Sequence, residues 1–176
     1  MIAVTKKSSL KPINLNELLD ISINKPSRYI GNELGVKEQI WDTAQVRWAL
    51  TYPELYEVGA SNLGHIILYS ILNAIPNQLC DRSYLPAPDF AEKLRKECIA
   101  LFAIESRKPL FKFDIMGFSL SYELGATNIL EMLDLSQIPI HAANRKDLPI
   151  NDPDCLPLIF AGGPTATSNP EPYVDF

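Results

Sequence analysis

Histidine and cysteine are scarce in this chain of 176 residues, and their scarcity narrows the chemistry first. Two histidines, His65 and His141, and three cysteines, Cys80, Cys98 and Cys155, lie far apart. No C-x-x-C, H-E-x-x-H or C-x-x-x-C-x-x-C occurs, so neither a thiolate-held cluster nor a zinc centre of ordinary spacing can be read from the chain. An odd, scattered set of cysteines builds no disulfide framework, and a reducing cytoplasm is the simplest expectation. Basic runs are missing too: none exceeds Lys6-Lys7, and the formal net charge is −5. Nucleic acid and anionic membranes therefore find no electrostatic footprint. No stretch approaches the roughly 20 apolar residues needed to span a bilayer, and Met1 to Lys7 lacks the apolar region of a signal peptide. The dinucleotide G-x-G-x-x-G, the phosphate-binding G-x-x-x-x-G-K and the nucleophile elbow G-x-S-x-G are also absent. Internal repeats and low-complexity tracts do not occur.

What is present describes an ordinary folded domain. Hydrophobic residues make up 47% of the chain and charged residues 21%, and a chain of this length buries roughly 70% of its unfolded surface. Residues 1–44 are the least regular part. They read as an N-terminal arm with one short helix, whose face carries Leu15, Leu18, Leu19 and Ile23, broken by Pro26 to Gly31. Residues 45–176 read as one α/β domain. Val46 to Tyr52 is a β-rich run ended by Pro53. A helix capped by Ser61 follows through Leu63, Ile66, Ile67, Leu68, Ile71 and Leu72. A second strand is expected near Leu79 to Leu85, then a helix capped by Asp89 with Phe90, Leu94 and Cys98 at core spacing. Leu101 to Ile104 reads as a minor strand and Asp114 to Leu120 as a strong one. A helix with Ile129, Leu130, Met132, Leu133 and Leu135 comes next. Ile138 to His141 is a weak fourth strand and Leu156 to Ala161 the fifth. Alternation of this kind predicts a flavodoxin-like or Rossmann-like three-layer α/β sandwich with a five-stranded parallel sheet, order 2-1-3-4-5.

In such a sheet ligands bind outside the carboxyl ends of the strands. Three segments should converge there. The loop from Pro53 to Gly64 supplies Tyr56, Gly59, Ser61, Asn62 and Gly64 at a helix start, where free N–H groups receive anions. The strand end at Ser119 brings Ser121 and Tyr122, and the apolar run ending in Gly162-Gly163-Pro164 brings bare backbone. These eleven residues are the expected cofactor-binding surface, through backbone and hydroxyl contacts. Each has a plainer reading beside it: Ser61 as a simple helix cap, Gly59 and Gly64 as packing glycines, Ser119 and Ser121 as turn residues. His65 reads as a surface residue rather than a metal ligand, and His141 has no companion at ligand spacing. Glu105, Glu123 and Glu131 read as solvated carboxylates with no nucleophile to serve. No catalytic or metal-ligating residue is assigned.

The same segments carry a resemblance. Tyr52-Pro53-Glu54-Leu55-Tyr56 running on to Gly64, Asp114 to Leu124, and Phe160-Ala161-Gly162-Gly163-Pro164 followed by Asn169-Pro170-Glu171-Pro172 resemble the N-terminal region of a bacterial radical S-adenosylmethionine (radical SAM) protein family. Arg28-Tyr29-Ile30-Gly31 and Glu105-Ser106-Arg107 before Pro109 add to it, over residues 26–176 in all. The resemblance implies a cobalamin-binding-like domain ahead of a radical SAM barrel that holds a 4Fe-4S cluster and S-adenosylmethionine. Cluster ligands are missing here, so the chain alone is not expected to cleave S-adenosylmethionine and is read as part of a larger protein. The D-x-H-x-x-G motif that gives a histidine to cobalt is missing as well, which leaves cobalamin an open expectation. The implied role is an accessory domain that covers the barrel's active site and holds a corrinoid or substrate. A docking scaffold without cofactor, and a free-standing flavodoxin-like enzyme acting on a nucleotide or small acid, are the alternatives. The expected partners are the barrel of the parent chain and, through the uncovered Leu158 to Ala161 strand, a second copy; nucleic acid and membrane are not expected.

Overall fold

The computed structural model describes residues 12–36, 40–145, 148–149, 152 and 154–176; the reading of Met1 to Lys7 lies outside them. The arm contributes the short helix α1 (Leu15–Leu18), capped by the Asn14 side chain. Strand β1 (Val46–Tyr52) is followed by α2 (Tyr56–Gly59) and α3 (Leu63–Ala74). Then come β2 (Gln78–Tyr84), α4 (Pro88–Lys96), β3 (Ile115–Ser119), α5 (Gly125–Leu135), β4 (Leu158–Gly162) and α6 (Pro164–Ser168). All pairings are parallel and the order is β2-β1-β3-β4.

The fold is thus a mixed α/β structure with a Rossmann-like parallel sheet, but of four described strands rather than five. The expected strand at Ile138 to His141 is not one. Pro139 removes a ladder donor, and the Arg145 guanidinium donates to the carbonyls of Pro139 and Ile140 at 2.9 and 3.1 Å, holding a bend. Leu101 to Ile104 is likewise no strand: it makes one isolated antiparallel bridge, Phe102 to Pro109.

Alternation along each strand splits the side chains between two faces. Ala49, Leu79, Met116 and Phe118 face α4 and α5 in the main core, with Phe90, Leu94, Met132 and Leu133 fully buried opposite them. The arm packs into this same core through Leu15, Leu18, Ile23, Tyr29 and Trp41. Arg47 ties the base together: buried, it pairs with Asp114 at 3.4 Å and donates to the Trp41 carbonyl. Both α4 and α5 end on a residue with positive φ, Cys98 and Gln137, after which Ile99 N–H and Ile138 N–H bond back to Leu94 and Leu133. That is a helix-stopping turn, and it corrects one expectation: Cys98 is exposed beyond the helix, not a core residue.

The other face is covered differently. Helix α3 packs over β2 and β1 through His65, Tyr69 and Asn73, against Leu50 and Cys80. Asn73 exchanges two hydrogen bonds of 2.9 Å with the Cys80 backbone, fixing the helix's far end to β2. Over β3 and β4 no described helix sits on this face, and Leu158 and Phe160 are 67% and 44% exposed.

Candidate functional site

Parallel registration brings the carboxyl ends of all four strands to one rim, with Tyr52 opposite Tyr84 and Ser119 opposite Gly162. Beside that rim lies a groove of about 350 Å³ between α3 and the bare half of the sheet. Its floor is Trp48, Leu50, Gly117 and Phe160, its wall Leu68 and Leu72. Strand alternation explains the floor, since Trp48 and Leu50 on β1, Gly117 on β3 and Phe160 on β4 share the face. Phe160 lies over Gly117, where a Cβ would come within 2.8 Å of its ring, and meets Trp48 edge-on at 6.1 Å.

Polar groups gather at the carboxyl end. Asn62, not Ser61, caps α3: its side-chain oxygen accepts from the His65 N–H at 3.0 Å. Its amide donates to the Tyr52 hydroxyl at 3.2 Å, and that hydroxyl meets Ser121 Oγ at 3.0 Å. His65 Nδ1 sits 3.5 Å from Ser119 Oγ. His65 is 1% exposed rather than a surface residue, packed against the rings of Tyr52 and Tyr84. Burial, aided by the Arg82 charge, lowers its pKa to about 4, so it is neutral at physiological pH. Its Nε2 and the Tyr84 hydroxyl are buried with no hydrogen-bond partner among the described residues.

Of the eleven residues expected at the site, the groove gathers Asn62, Gly64, Ser119, Ser121, Gly162, Gly163 and Pro164. The other four lie elsewhere. Ser61 donates to the Val58 carbonyl in a turn. Gly59 is a packing glycine, because a Cβ there would lie 2.5 Å from the Tyr84 ring. Tyr56 bonds Glu33 in a separate network, in which Glu33 and Glu105 both pair with the buried Arg82. Tyr122 bonds Glu54, and Asn128 donates to the Pro53 carbonyl at 2.8 Å, joining the loops after β1 and β3. Among the expected carboxylates, Glu105 belongs to the Arg82 network and Glu131 pairs with Arg95 at 2.8 Å.

The glycines at the end of β4 differ from each other. Gly163 has φ +115, and a Cβ would lie 2.3 Å from the Leu120 carbonyl oxygen; the backbone turn itself needs glycine. At Gly162 nothing lies within 4 Å of a Cβ, so its smallness leaves open space at the groove mouth. Sequence reasoning did not anticipate Trp48, Phe160 and Leu68 as groove residues. The signal was present in the period-2 pattern of Trp48, Leu50 and Tyr52 and of Leu158 and Phe160.

A family model described as the N-terminal part of radical SAM proteins matches residues 64–176, which include α3 from its second residue, every strand but the first, and the rim after β4. The chain belongs to that family. Comparison with curated proteins and with solved structures found no match. As the N-terminal region of a radical SAM protein, the chain is an accessory domain whose parent carries a radical SAM partner domain. No group of three or more candidate ligands for a metal ion occurs among the described residues, and no described helix is long and apolar enough to cross a membrane.

Proposed function

We propose that this radical SAM N-terminal domain docks on the radical SAM domain of its parent protein and covers that domain's active site, meeting it through α3 and the open face of β4. One observation carries the reading. Helix α3 contains no Asp, Glu, Lys or Arg in its twelve residues, and its outward sides leave Leu63, Ile67, Leu68 and Ile71 69%, 48%, 47% and 53% exposed. An uncharged helix whose outward side is largely apolar is one that a further surface buries. The groove beside it continues the same surface across Phe160 to Leu158, and its small-residue mouth at Gly64, Ser119 and Gly162 leaves room where substrate would lie.

The corrinoid that the resemblance implies suits these residues poorly. Phe160 occupies the floor over Gly117, and about 350 Å³ is a fraction of what a corrin ring with its amide arms displaces. The histidine that lines the groove, His65, is buried with Nδ1 turned to Ser119 and its ring packed against Tyr52 and Tyr84. The reading proposed is therefore docking without a cofactor. It is tested in the full-length parent protein carrying Ile67→Cys, with the exposed Cys98 as internal reference. Maleimide labelling at position 67 should be strongly suppressed relative to Cys98. Equal labelling of both would refute docking through α3. Adding hydroxocobalamin to the same protein should leave its visible spectrum unshifted, and a retained, shifted pigment would restore the corrinoid.

A further inference from the structure

The arm runs over the carboxyl end of β2 after a firm anchor at Tyr29. The Tyr29 ring stacks on Phe90 at 3.9 Å, and its hydroxyl accepts from the Ala87 N–H at 3.1 Å. Gly31 then passes so close to the chain that a Cβ would lie 2.5 Å from the Ile104 carbonyl oxygen. Gly31 and Asn32 both have positive φ, 69° and 61°, and the chain bends sharply there. Two residues further on, Leu34 is fully exposed. Among the described residues, the hydrogen bonds and ion pairs that join residues 32–36 to the rest of the domain belong to one group, the Glu33 carboxylate.

The groups that Glu33 meets make a binding site by themselves. One of its oxygens accepts from the Tyr56 hydroxyl, and the other meets the Arg82 guanidinium at 2.9 Å. Arg82 is buried and lies over the Tyr69 ring at 4.7 Å. Glu105 already neutralises it, accepting from its Nε at 2.8 Å. One cation thus stands between two carboxylates, and Glu33 is the surplus one. The Tyr84 hydroxyl is close enough to Arg82, Glu33 and Tyr56 to feel their charge. It has no hydrogen-bond partner among the described residues, although Tyr84 is 5% exposed. Buried polar groups are nearly always bonded, so this hydroxyl marks a contact that Glu33 leaves unmade. Burial raises the pKa of both tyrosines, that of Tyr56 to about 12, so both hydroxyls keep their protons and can donate.

We propose that Arg82, Tyr56 and Tyr84 form a binding site for the carboxylate of a small acid, that Glu33 fills it as an internal stand-in, and that residues 32–36 are a strap displaced when such a ligand binds. The ligand carboxylate takes the two places of Glu33, on Arg82 and on Tyr56, as charge-assisted hydrogen bonds. It gains the Tyr84 hydroxyl as a third donor. The bend at Gly31 and Asn32 is the hinge, and the Tyr29 anchor stays in place. Tethering gives Glu33 a high effective concentration, so an outside carboxylate has to compete with it. Beyond its Cα the Glu33 side chain is a propionate, which makes propionate the probe of matching size. The site shares no residue with β4 or with the outward side of α3, so the proposal goes beyond the docking reading and stands without it.

Thermal unfolding of the full-length parent protein carrying Glu33→Ala tests it, in a propionate titration matched against chloride at equal ionic strength. Propionate should raise the unfolding midpoint saturably, where chloride does not. In the wild type, half-saturation should lie about tenfold higher or more, because the tethered carboxylate competes. Adding Tyr84→Phe to Glu33→Ala removes a hydroxyl that bonds nothing in the strapped state. It should raise half-saturation about tenfold, the loss of one hydrogen bond to a charged group. No saturable response to propionate in Glu33→Ala would overturn the site. Equal half-saturation in the wild type and in Glu33→Ala would overturn the strap. A double variant that responds like Glu33→Ala would reduce Glu33 to an ordinary partner of Arg82 and overturn the proposal too. Labelling at position 67 reports none of these groups, so this proposal and the docking reading fail separately.

Discussion

Single residues at the rim divide into those that hold the backbone and those that shape space, and the two groups respond differently to substitution. Gly163→Ala places a Cβ against the Leu120 carbonyl at a φ that disfavours side chains; a loss of about 2 kcal/mol or more is expected in urea denaturation. Gly162→Ala, with open space around it, should leave that midpoint nearly unchanged. His65 belongs to the holding group, and its burial has a pH signature. The unfolded chain takes up a proton at this side chain near pH 6.5 and the folded one only near 4, so acid favours unfolding across that window. The loss approaches about 3 kcal/mol at its acid end. Asp81 works the other way. Burial pushes it up to about 6 despite three backbone N–H donors, so its contribution falls as pH rises from about 4 to 6. Denaturation midpoints of His65→Gln from pH 4 to 6.5 should lose the acid destabilisation and show the opposite slope. An unchanged acid slope in the variant would mean that His65 is not its source.

Among the elements, those with one clear inside were legible in the sequence. β1 was read to the residue because Val46 to Tyr52 is β-branched and aromatic, bounded by Pro53, and α4 was read from Phe90 and Leu94, which are fully buried. Helix α3 was recognised, but its orientation was not. With isoleucine and leucine on every side, the 3.6-residue period points nowhere, and the polar residues His65 and Asn73 turned out to face the sheet. The cap at Asn62 was missed by one residue because Ser61 and Asn62 are both good caps. Ile138 to His141 reads as a strand for its alternating isoleucines; Pro139 within it argues against a ladder, and the Arg145 contacts show how the chain bends there. At the site, Ser119 and Gly162 were found because strand ends are visible in sequence. The four residues that do not line the groove are held by contacts that spacing does not encode: Ser61 by a local bond to Val58, Gly59 by packing on Tyr84, and Tyr56 and Tyr122 by distant bonds to Glu33 and Glu54.

For the molecule as a whole, the asymmetry of the two sheet faces decides how it should behave alone. One face is largely covered by α4, α5 and the arm, whereas the other carries, among the described residues, only α3 and leaves Leu158, Phe160 and the outward side of that helix exposed. Fully burying a leucine- or isoleucine-sized side chain stabilises by roughly 1.5–3 kcal/mol, and six such half-exposed side chains lie on α3 and β4. If the domain docks as proposed, part of that stabilisation is withheld from the isolated 176-residue chain and becomes available in the parent. The isolated chain should therefore bind a hydrophobic dye such as bis-ANS and associate as its concentration rises, while the full-length protein does neither and unfolds this region at a higher temperature. Ile67→Lys together with Ile71→Lys, at positions outside the core clusters, should weaken dye binding by the isolated chain without lowering its own denaturation midpoint. In the full-length protein the same pair should weaken the docked state. If the isolated chain stays monomeric, binds no dye and melts at the parent's temperature, the open face is simply tolerated by this fold and the docking surface has to be sought elsewhere.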